Sequence, residues 1–477
     1  MSVATGIAEP QVAGSTVGHG YHRSSEEPDT GFPAPMLTDP LRGPKGHLLT
    51  GNLPELRVDR LRSYVRWGRE YGDLVPLCVG PRKIFLVSHP DLIRQVMVTD
   101  SHNFQKPLML RINRLVFGNG LLTGEGELWR RQRRLVQPAF HHERIAGYAE
   151  TMVRSAGELI EVWKDGEVRD IHEDMMRITL QIVGRTLFGA DAERDSEEVD
   201  RAFRVVLERF VAHLRSVIPV PESLPTPRNL RLRRAVRRLD RIIYGYVAER
   251  RTDGEDRDDL LSMLLHARDD DGSGMSDQQL RDELMTVFLA GHETTAVALT
   301  WTWYLLSENP EVRRRLSAEL DAVLGERRPV MADLQRLSYA MMVVTESMRL
   351  YPPAPTFGRD ALRDCEVGGH RIPKGSTIVV SPWVVHRDPR FFEDPEAFRP
   401  ERWSDGLARR LPKFAYFPFG GGPRLCIGSS FALTEAVLLL ATIAQRFRLD
   451  LVPGHPVKLW PTITLRPRHG MWMTVRG

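Results

Sequence analysis

Cys426 is the residue whose type and setting most clearly suggest chemistry. It belongs to the pattern Phe419-x-x-Gly422-x-Arg424-x-Cys426-x-Gly428. The stretch that follows, Phe431 to Phe447, has the periodicity of a helix. At a helix N-terminus, unpaired N–H groups and the positive end of the dipole favour a thiolate over a thiol. Because metals bind the thiolate, the sequence predicts that Cys426 is a metal ligand.

The other residues of this motif suit a flat, negatively charged cofactor. Gly422 and Gly428 would let the backbone pass close to a macrocycle, and the Phe419 ring could pack near its face. Arg424 could pair with a carboxylate at the cofactor edge. The two remaining cysteines, Cys78 and Cys365, stand in no such pattern, and we predict both to be buried and unreactive.

A second candidate lies in the stretch Leu284 to Leu306, which is mostly apolar and about 20 residues long, enough to cross a bilayer. Its centre reads Gly291-His292-Glu293-Thr294-Thr295. Charged groups at mid-membrane depth are costly, which favours a buried core helix with a functional interruption. The structural alternative is a simple kink in a packed core.

Together these motifs resemble those of the cytochrome P450 family, from about Leu41 to the C-terminus. Four further motifs carry the resemblance: Trp129-Arg130-Arg131-Gln132-Arg133, Glu346-Ser347-Met348-Arg349, Gly358-Arg359-Asp360 and Pro400-Glu401-Arg402-Trp403. The resemblance implies that Cys426 is the axial ligand of haem b, whose thiolate helps to cleave the O–O bond. It also implies a structural cluster of Glu346, Arg349 and Arg402.

The resemblance assigns roles to residues on both faces of the haem. It implies that Trp129, Arg133 and Arg359 bind the propionates together with Arg424. On the distal helix it implies that Ala290 contacts the cofactor. There, Thr294 would hold dioxygen or water, and Glu293 would relay protons.

The resemblance also implies an activity, that of a monooxygenase inserting oxygen into a C–H or C=C bond of a hydrophobic molecule. Candidate substrates are a terpene, a polyketide or macrolactam skeleton, or a fatty acid. Two alternatives remain: a haem-thiolate isomerase or dehydratase, and a haem-based sensor or electron carrier. The resemblance places these apolar residues near the pocket: Leu108, Met109, Leu110, Phe288, Leu289, Ala290, Ala354, Phe357 and Ile463.

Composition sets limits on location and partners. A net charge of +4 argues against a nucleic-acid binder, and three scattered cysteines argue for a reducing, cytoplasmic setting. Met1 to Pro35 contains no signal peptide or membrane anchor. No reductase domain is recognisable, so we expect electrons from a ferredoxin or flavodoxin with its reductase. Basic residues could steer such a carrier: Arg130, Arg131, Arg134, Arg409, Arg410 and Lys413.

The pattern of elements predicts a mainly α fold with small β-sheets, the cytochrome P450 fold, in a single large domain. We place a disordered tail at residues 1–38 and the haem-thiolate monooxygenase domain at 39–477. Hairpins are predicted at Val75 to His89 and at Cys365 to Ser381. Helical periodicity predicts helices over Arg130–Leu135, Ile145–Trp163, Met175–Phe188, Val199–Val217, Asn229–Arg251, Asp277–Leu306, Glu311–Leu324 and Leu334–Leu350. From Pro382 onward we expect an irregular run before the last helix.

Overall fold

A computed structural model describes residues 33–111, 114–189, 195–214, 224–254, 256–257, 259–268 and 272–477. The helices are α1 (Leu53–Tyr71), α2 (Pro90–Arg94), α3 (Leu108–Arg111), α4 (Arg114–Phe117), α5 (Gly126–Val136), α6 (His142–Glu161), α7 (Ile171–Leu187), α8 (Ser196–Leu214), α9 (Pro227–Asp253), α10 (Leu260–His266), α11 (Asp277–Glu308), α12 (Pro310–Val323), α13 (Ser338–Leu350), α14 (Pro382–Val385), α15 (Leu407–Arg410) and α16 (Ser429–Ala444). The fold is mainly α, as the sequence predicts.

The strands form small sheets. They are β1 (Leu74–Val79), β2 (Arg82–Val87), β3 (Phe104–Gln105), β4 (Val168–Asp170), β5 (Phe357–Ala361), β6 (Cys365–Val367), β7 (His370–Ile372), β8 (Thr377–Val380), β9 (Arg448–Leu451), β10 (Leu459–Pro461), β11 (Leu465–Pro467) and β12 (Trp472–Arg476). The largest sheet has the order β1-β2-β8-β5-β3, and β2 and β8 are its parallel pair. A second sheet has the order β4-β12-β9, and β6-β7 and β10-β11 are two-stranded.

Helix α11 is the central element of the core. Its start is fixed by a capping box, in which Ser276 and Gln279 satisfy each other's backbone N–H groups. It ends before Pro310, which opens α12. Nearly every residue from Leu280 to Leu306 is buried, because α7, α9, α13 and α16 pack around it. The predicted core helix is therefore confirmed, and no helix in the described ranges is long and apolar enough to cross a membrane.

Two predicted boundaries are wrong. The segment Cys365–Ser381 is not one hairpin, since only β6 and β7 pair there and β8 joins the large sheet between β2 and β5. The predicted tail also extends too far, because Met36 is bound to Asp73. The Met36 N–H donates to Oδ2 of Asp73 at 2.7 Å, and the Met36 carbonyl accepts the Asp73 N–H at 2.8 Å. Residues 1–32 of that tail, and the end of the helix predicted over Val199–Val217, lie outside the described residues.

Candidate active site

A large cavity of about 1120 Å³ runs through the middle of the molecule. The loop before α16 contributes Cys426 to its wall, and α11 contributes Ala290 and Thr294. Further walls come from α1, α3, β5 and the tip of the β10–β11 hairpin. Residues from distant parts of the chain thus meet around one space, and most predicted site residues line it: Trp129, Arg133, Ala290, Glu293, Thr294, Arg359, Phe419, Arg424, Cys426 and Gly428.

The loop from Phe419 to Gly428 presents the thiol of Cys426 to this cavity. The Cys426 N–H donates to the Phe419 carbonyl at 3.1 Å, which closes the loop, and Gly428 is the residue before α16. Burial raises the pKa of the Cys426 thiol, while a backbone N–H of Gly428 and the charges of Arg133 and Lys106 act in the opposite direction. A metal bound at Cys426 would stabilise the thiolate, because metals bind the deprotonated form of the thiol.

Gly422 has a different role from the predicted one. It does not line the cavity; its backbone is left-handed, with φ of +66°, and an added Cβ would lie 2.0 Å from the carbonyl oxygen of Met97. The glycine is required because two backbone segments approach closely there. The prediction that Gly422 makes room for a macrocycle is therefore wrong.

Four cations surround the part of the cavity next to Cys426. Arg133 donates to the carbonyl of Leu425 at 2.7 Å, and Arg359 donates to the carbonyl of Gly358 at 2.8 Å. Arg424 forms an ion pair with Glu125, and its guanidinium lies 4.0 Å above the Trp129 ring. Lys106 is the fourth.

Lys106 was not identified from the sequence, because nothing in its neighbourhood distinguishes it from a surface lysine. Its pKa is lowered well below the usual value by burial first, and then by the charges of Arg359 and Arg424. Burial likewise lowers the pKa of Arg359 to about 10, with Arg424 adding to the effect. In the described part of the chain, Glu125 pairs with Arg424 of this cluster, and no ion pair with a carboxylate is formed by Lys106, Arg133 or Arg359.

This cluster fits haem b. Buried cations without anionic partners are costly, and two propionates together with an iron-bound thiolate would supply the missing negative charges. Guanidinium groups bind carboxylates in a bidentate manner, which suits Arg133, Arg359 and Arg424. The ring of Phe419 and the Gly428 backbone lie at the same wall as Cys426.

Helix α11 crosses the cavity near Ala290 and Thr294. Ala290 is exposed to the cavity, and its carbonyl accepts a hydrogen bond from the Thr294 hydroxyl at 2.9 Å. The helix continues through Gly291, where an added Cβ would lie 3.0 Å from the Val183 side chain. A close approach between α7 and α11 therefore explains the glycine.

Glu293 is buried and held by two groups from the C-terminal hairpin. Its carboxylate accepts from the Thr464 hydroxyl and from Nε of Arg466, each at 2.5 Å. Neither partner was predicted, because strand β11 meets α11 only in the folded chain. Another buried acid, Glu435 of α16, lies beside Thr295; burial raises the pKa of Glu435 to about 8, against the effect of the Thr295 hydroxyl.

Asp360, next to Arg359 on β5, fixes the position of α3. Its Oδ2 accepts the backbone N–H of Leu108 at 2.6 Å and contacts Arg111 at 3.4 Å. Its Oδ1 accepts from the Thr377 hydroxyl at 2.6 Å. One carboxylate therefore joins the helix over the cavity to the large sheet.

The apolar wall is largely as predicted: Leu108, Leu110, Leu289, Ala290, Ala354, Phe357 and Ile463 line the cavity. Phe288 does not, since its ring packs edge-on against Phe188 in the core. The Met109 side chain lies outside the described residues. Of the other cysteines, neither lines the cavity; Cys365 is half-buried, and Cys78 is exposed, contrary to the prediction.

The predicted structural cluster is confirmed. Glu346 and Arg349 form a fully buried bidentate pair with distances of 2.9 Å, and Arg402 donates to Glu346 at 2.8 Å. The indole of Trp403 adds a fourth hydrogen bond to the same carboxylate. This cluster joins α13 to the segment that leads to the Cys426 loop.

Comparisons with known proteins agree with this geometry. The family model Cytochrome P450 matches residues 41–472. The chain is 42% identical to cyclooctatin synthase of Streptomyces melanosporofaciens over 83% of this chain and 87% of that protein. It is 39% identical to the cyclooctat-9-en-7-ol 5-monooxygenase of the same organism, over 80% of this chain and 84% of that one.

A further relative is the pentalenene oxygenase of Streptomyces avermitilis, which is 37% identical over 81% of this chain and 86% of that protein. A family match over most of the chain and several relatives above 30% identity establish the relationship. The chain belongs to the cytochrome P450 family, as a monooxygenase that binds haem b through a cysteine thiolate and requires an electron donor.

Proposed function

We propose that this monooxygenase oxidises a C–H or C=C bond of a terpenoid, with Cys426 as the ligand of the haem iron. The observation that carries the proposal is that Cys426, the four cations and the apolar wall of α3 and α11 share one cavity. The relatives named above support the substrate class, because their names describe oxidation of terpene skeletons. A fatty acid or a polyketide-type skeleton would suit the same apolar wall.

In this proposal, Arg133, Arg359, Arg424 and Lys106 bind the haem propionates. The Trp129 ring stacks against the Arg424 guanidinium, which lies 4.0 Å from the ring centroid. Phe419 and Gly428, which lie at the wall that carries Cys426, would hold the haem there, and Ala290 of α11 would contact it as well. When bound, haem b supplies an iron that activates dioxygen, with the thiolate assisting O–O cleavage.

The residues of α11 hold and move protons. Thr294 donates to the Ala290 carbonyl at rest, and a rotation about its χ1 would present the hydroxyl proton to the cavity. Glu293 supplies protons to Thr294, the next residue in the chain. Its carboxylate is held by Thr464 and Arg466. The apolar residues near Thr294 would limit the access of water there, so that protons would enter along these side chains.

We propose that a ferredoxin or flavodoxin delivers the electrons at a basic surface formed by α5 and α15. Arg130, Arg134, Arg409, Arg410 and Lys413 are exposed, and Arg131 is half-buried. Acidic carriers are attracted to such surfaces, and the attraction weakens with salt. Three unpaired cysteines suit a cytoplasmic location, which we include in the proposal.

The first experiment is the absorption spectrum of the dithionite-reduced protein under carbon monoxide. We expect the red-shifted Soret band of a thiolate-ligated haem. Cys426→Ser should lose this band, and the matched control Cys365→Ser should retain it. Absence of the band in the unaltered chain, or its persistence in Cys426→Ser, would contradict the assignment of Cys426.

A second experiment separates the monooxygenase from the alternatives. Turnover of a terpene with a ferredoxin, its reductase and NADPH under ¹⁸O₂ should place one labelled oxygen in the product. An isomerase or dehydratase would form product without consuming NADPH. A sensor or electron carrier would show no substrate-dependent NADPH consumption.

A further inference from the structure

Arg60 lies in the wall of the same cavity but away from the thiolate. It contacts the tip of the β10–β11 hairpin, where its Nη2 donates to the carbonyls of Pro461 and Thr462, both at 3.4 Å. The same tip reaches Glu293 through Thr464, and Ile463 between them lines the cavity. One hairpin tip therefore lies between Arg60 and Glu293, which is in the middle of α11.

A break in α1 directs Arg60 to this position. Asp59 has non-helical angles, φ of −153° and ψ of 96°, and its Oδ1 accepts the backbone N–H of Arg62 at 3.0 Å. Asp59 thus caps the second part of α1, and Arg60 is the first residue of that part. One turn later, Tyr64 is buried beside it.

The guanidinium of Arg60 has weak partners. Its two hydrogen bonds are long, and its buried Nε has no hydrogen-bond partner. Among the described residues, no carboxylate lies within ion-pair distance of it. Several other buried arginines do have carboxylate partners, as Arg250 has Asp259 and Arg349 has Glu346.

Arg359 has a similar lack of a carboxylate partner, and there the propionates explain it. The acidic residues that line the cavity bind other groups of the chain. Glu293 pairs with Arg466, Asp360 binds α3, and Asp59 is exposed and caps α1. Arg82 is a further cation in the wall of the cavity. None of these acids pairs with Arg60, so its buried guanidinium calls for an anion from outside the chain.

We propose that Arg60 binds a carboxylate carried by the otherwise hydrophobic substrate, with the apolar skeleton extending toward Thr294. This inference rests on the proposed function. It narrows the substrate class to carboxylic acids, either terpenoid acids or fatty acids. A terpenoid acid would also place this reaction after one that oxidises a skeletal carbon to a carboxyl group. Burial lowers the pKa of Arg60, and an anion bound to it would relieve that effect.

The test is isothermal titration calorimetry of the haem-loaded full chain with acid and alcohol pairs on one skeleton. Palmitic acid and hexadecan-1-ol form the linear pair, and abietic acid and abietinol form the polycyclic pair. We expect the acid to bind at least about tenfold more tightly than its alcohol in one pair, as charge-assisted hydrogen bonds imply. Preference in the polycyclic pair assigns a terpenoid acid, and preference in the linear pair assigns a fatty acid.

Substitutions of single cations show which residue causes the preference for the acid over the alcohol. Arg60→Met should bring the acid-to-alcohol ratio close to one, and Arg60→Lys should keep most of the preference. Arg82→Met removes another cation of the same wall and should leave the ratio unchanged. Equal binding of acid and alcohol in both pairs, an unchanged ratio in Arg60→Met, or an equal loss in Arg82→Met would overturn the inference. The carbon monoxide spectrum is recorded on every sample, so that a failure of the haem-thiolate assignment is seen separately.

Discussion

The Glu293 carboxylate of α11 and the Arg466 guanidinium of β11 form a buried ion pair at 2.5 Å. Both side chains are almost inaccessible to solvent, and the ring of Phe203 covers the guanidinium. Removing one partner from such a pair leaves an uncompensated charge in a medium that solvates it poorly. The pair therefore holds the Glu293 carboxylate in place. Removing the charge of one partner alone should lower the free energy of unfolding.

We expect Arg466→Met to lower the free energy of unfolding by about 3–5 kcal/mol, because the Glu293 charge then has no cation. The double variant Glu293→Gln with Arg466→Met should recover most of this loss, since no charge remains buried. Urea unfolding followed by circular dichroism measures the free energy of unfolding of the single and the double variant. The exposed neighbour Arg468 provides the control, as Arg468→Met should change stability little. A double variant no more stable than Arg466→Met would contradict the ion-pair explanation.

Thr294→Ala should retain haem and substrate binding but release hydrogen peroxide in place of product. The hydroxyl that moves a proton in the cavity is lost, and product formed per NADPH should fall by about tenfold or more. Thr294→Ser keeps the hydroxyl and serves as the control. The measurement compares NADPH consumed, peroxide released and product formed. Unchanged coupling in Thr294→Ala would exclude the proton-relay role.

Gly422→Ala should be far more damaging than Gly454→Ala, although both glycines have left-handed backbone. An added Cβ at 422 meets the Met97 carbonyl at 2.0 Å, whereas open space surrounds position 454. The control substitution should cost only about 1 kcal/mol in backbone strain. The clash at 422 should add about 1–3 kcal/mol or more. Thermal unfolding and haem content are measured for both variants. An equal loss of stability in the two would contradict the steric explanation.

Glu283 of α11 should make stability depend on pH. Burial raises the pKa of Glu283 to about 8, while the Leu121 N–H bonded to it at 2.9 Å acts in the opposite direction. The folded state thus keeps a proton that the unfolded chain releases near pH 4.5. The contribution of Glu283 to stability should therefore be largest below that pH and should fall as pH rises toward 8.

Glu283→Gln replaces the neutral acid by an amide of the same shape and removes this dependence. The stability of the variant relative to the unaltered chain should rise from pH 5 to pH 8, by at most about 4 kcal/mol. Urea midpoints at four pH values measure the difference. A difference that is constant across this range would show that Glu283 is ionised in the folded state.

The local parts of the fold and site were accessible from sequence. The Cys426 motif, the helices and the Glu346–Arg349 pair depend on residues close together in the chain, so spacing is enough to find them. Lys106, Thr464 and Arg466 could not be found in this way, because only tertiary packing brings them to the cavity. Gly422 was found for the wrong reason, since the segment that requires it, at Met97, is distant in sequence.

Strand β5 carries two adjacent residues with different attachments. Arg359 faces the cluster that suits the propionates, and Asp360 holds the backbone of Leu108 at the start of α3. A substrate that shifts α3 must therefore either break the Asp360 hydrogen bonds or pull on β5. A displacement of α3 by a bound molecule would in this way act on Arg359, which is next to Asp360 on β5. The reduction potential of the iron should consequently respond to the shape of the bound molecule as well as to its displacement of water.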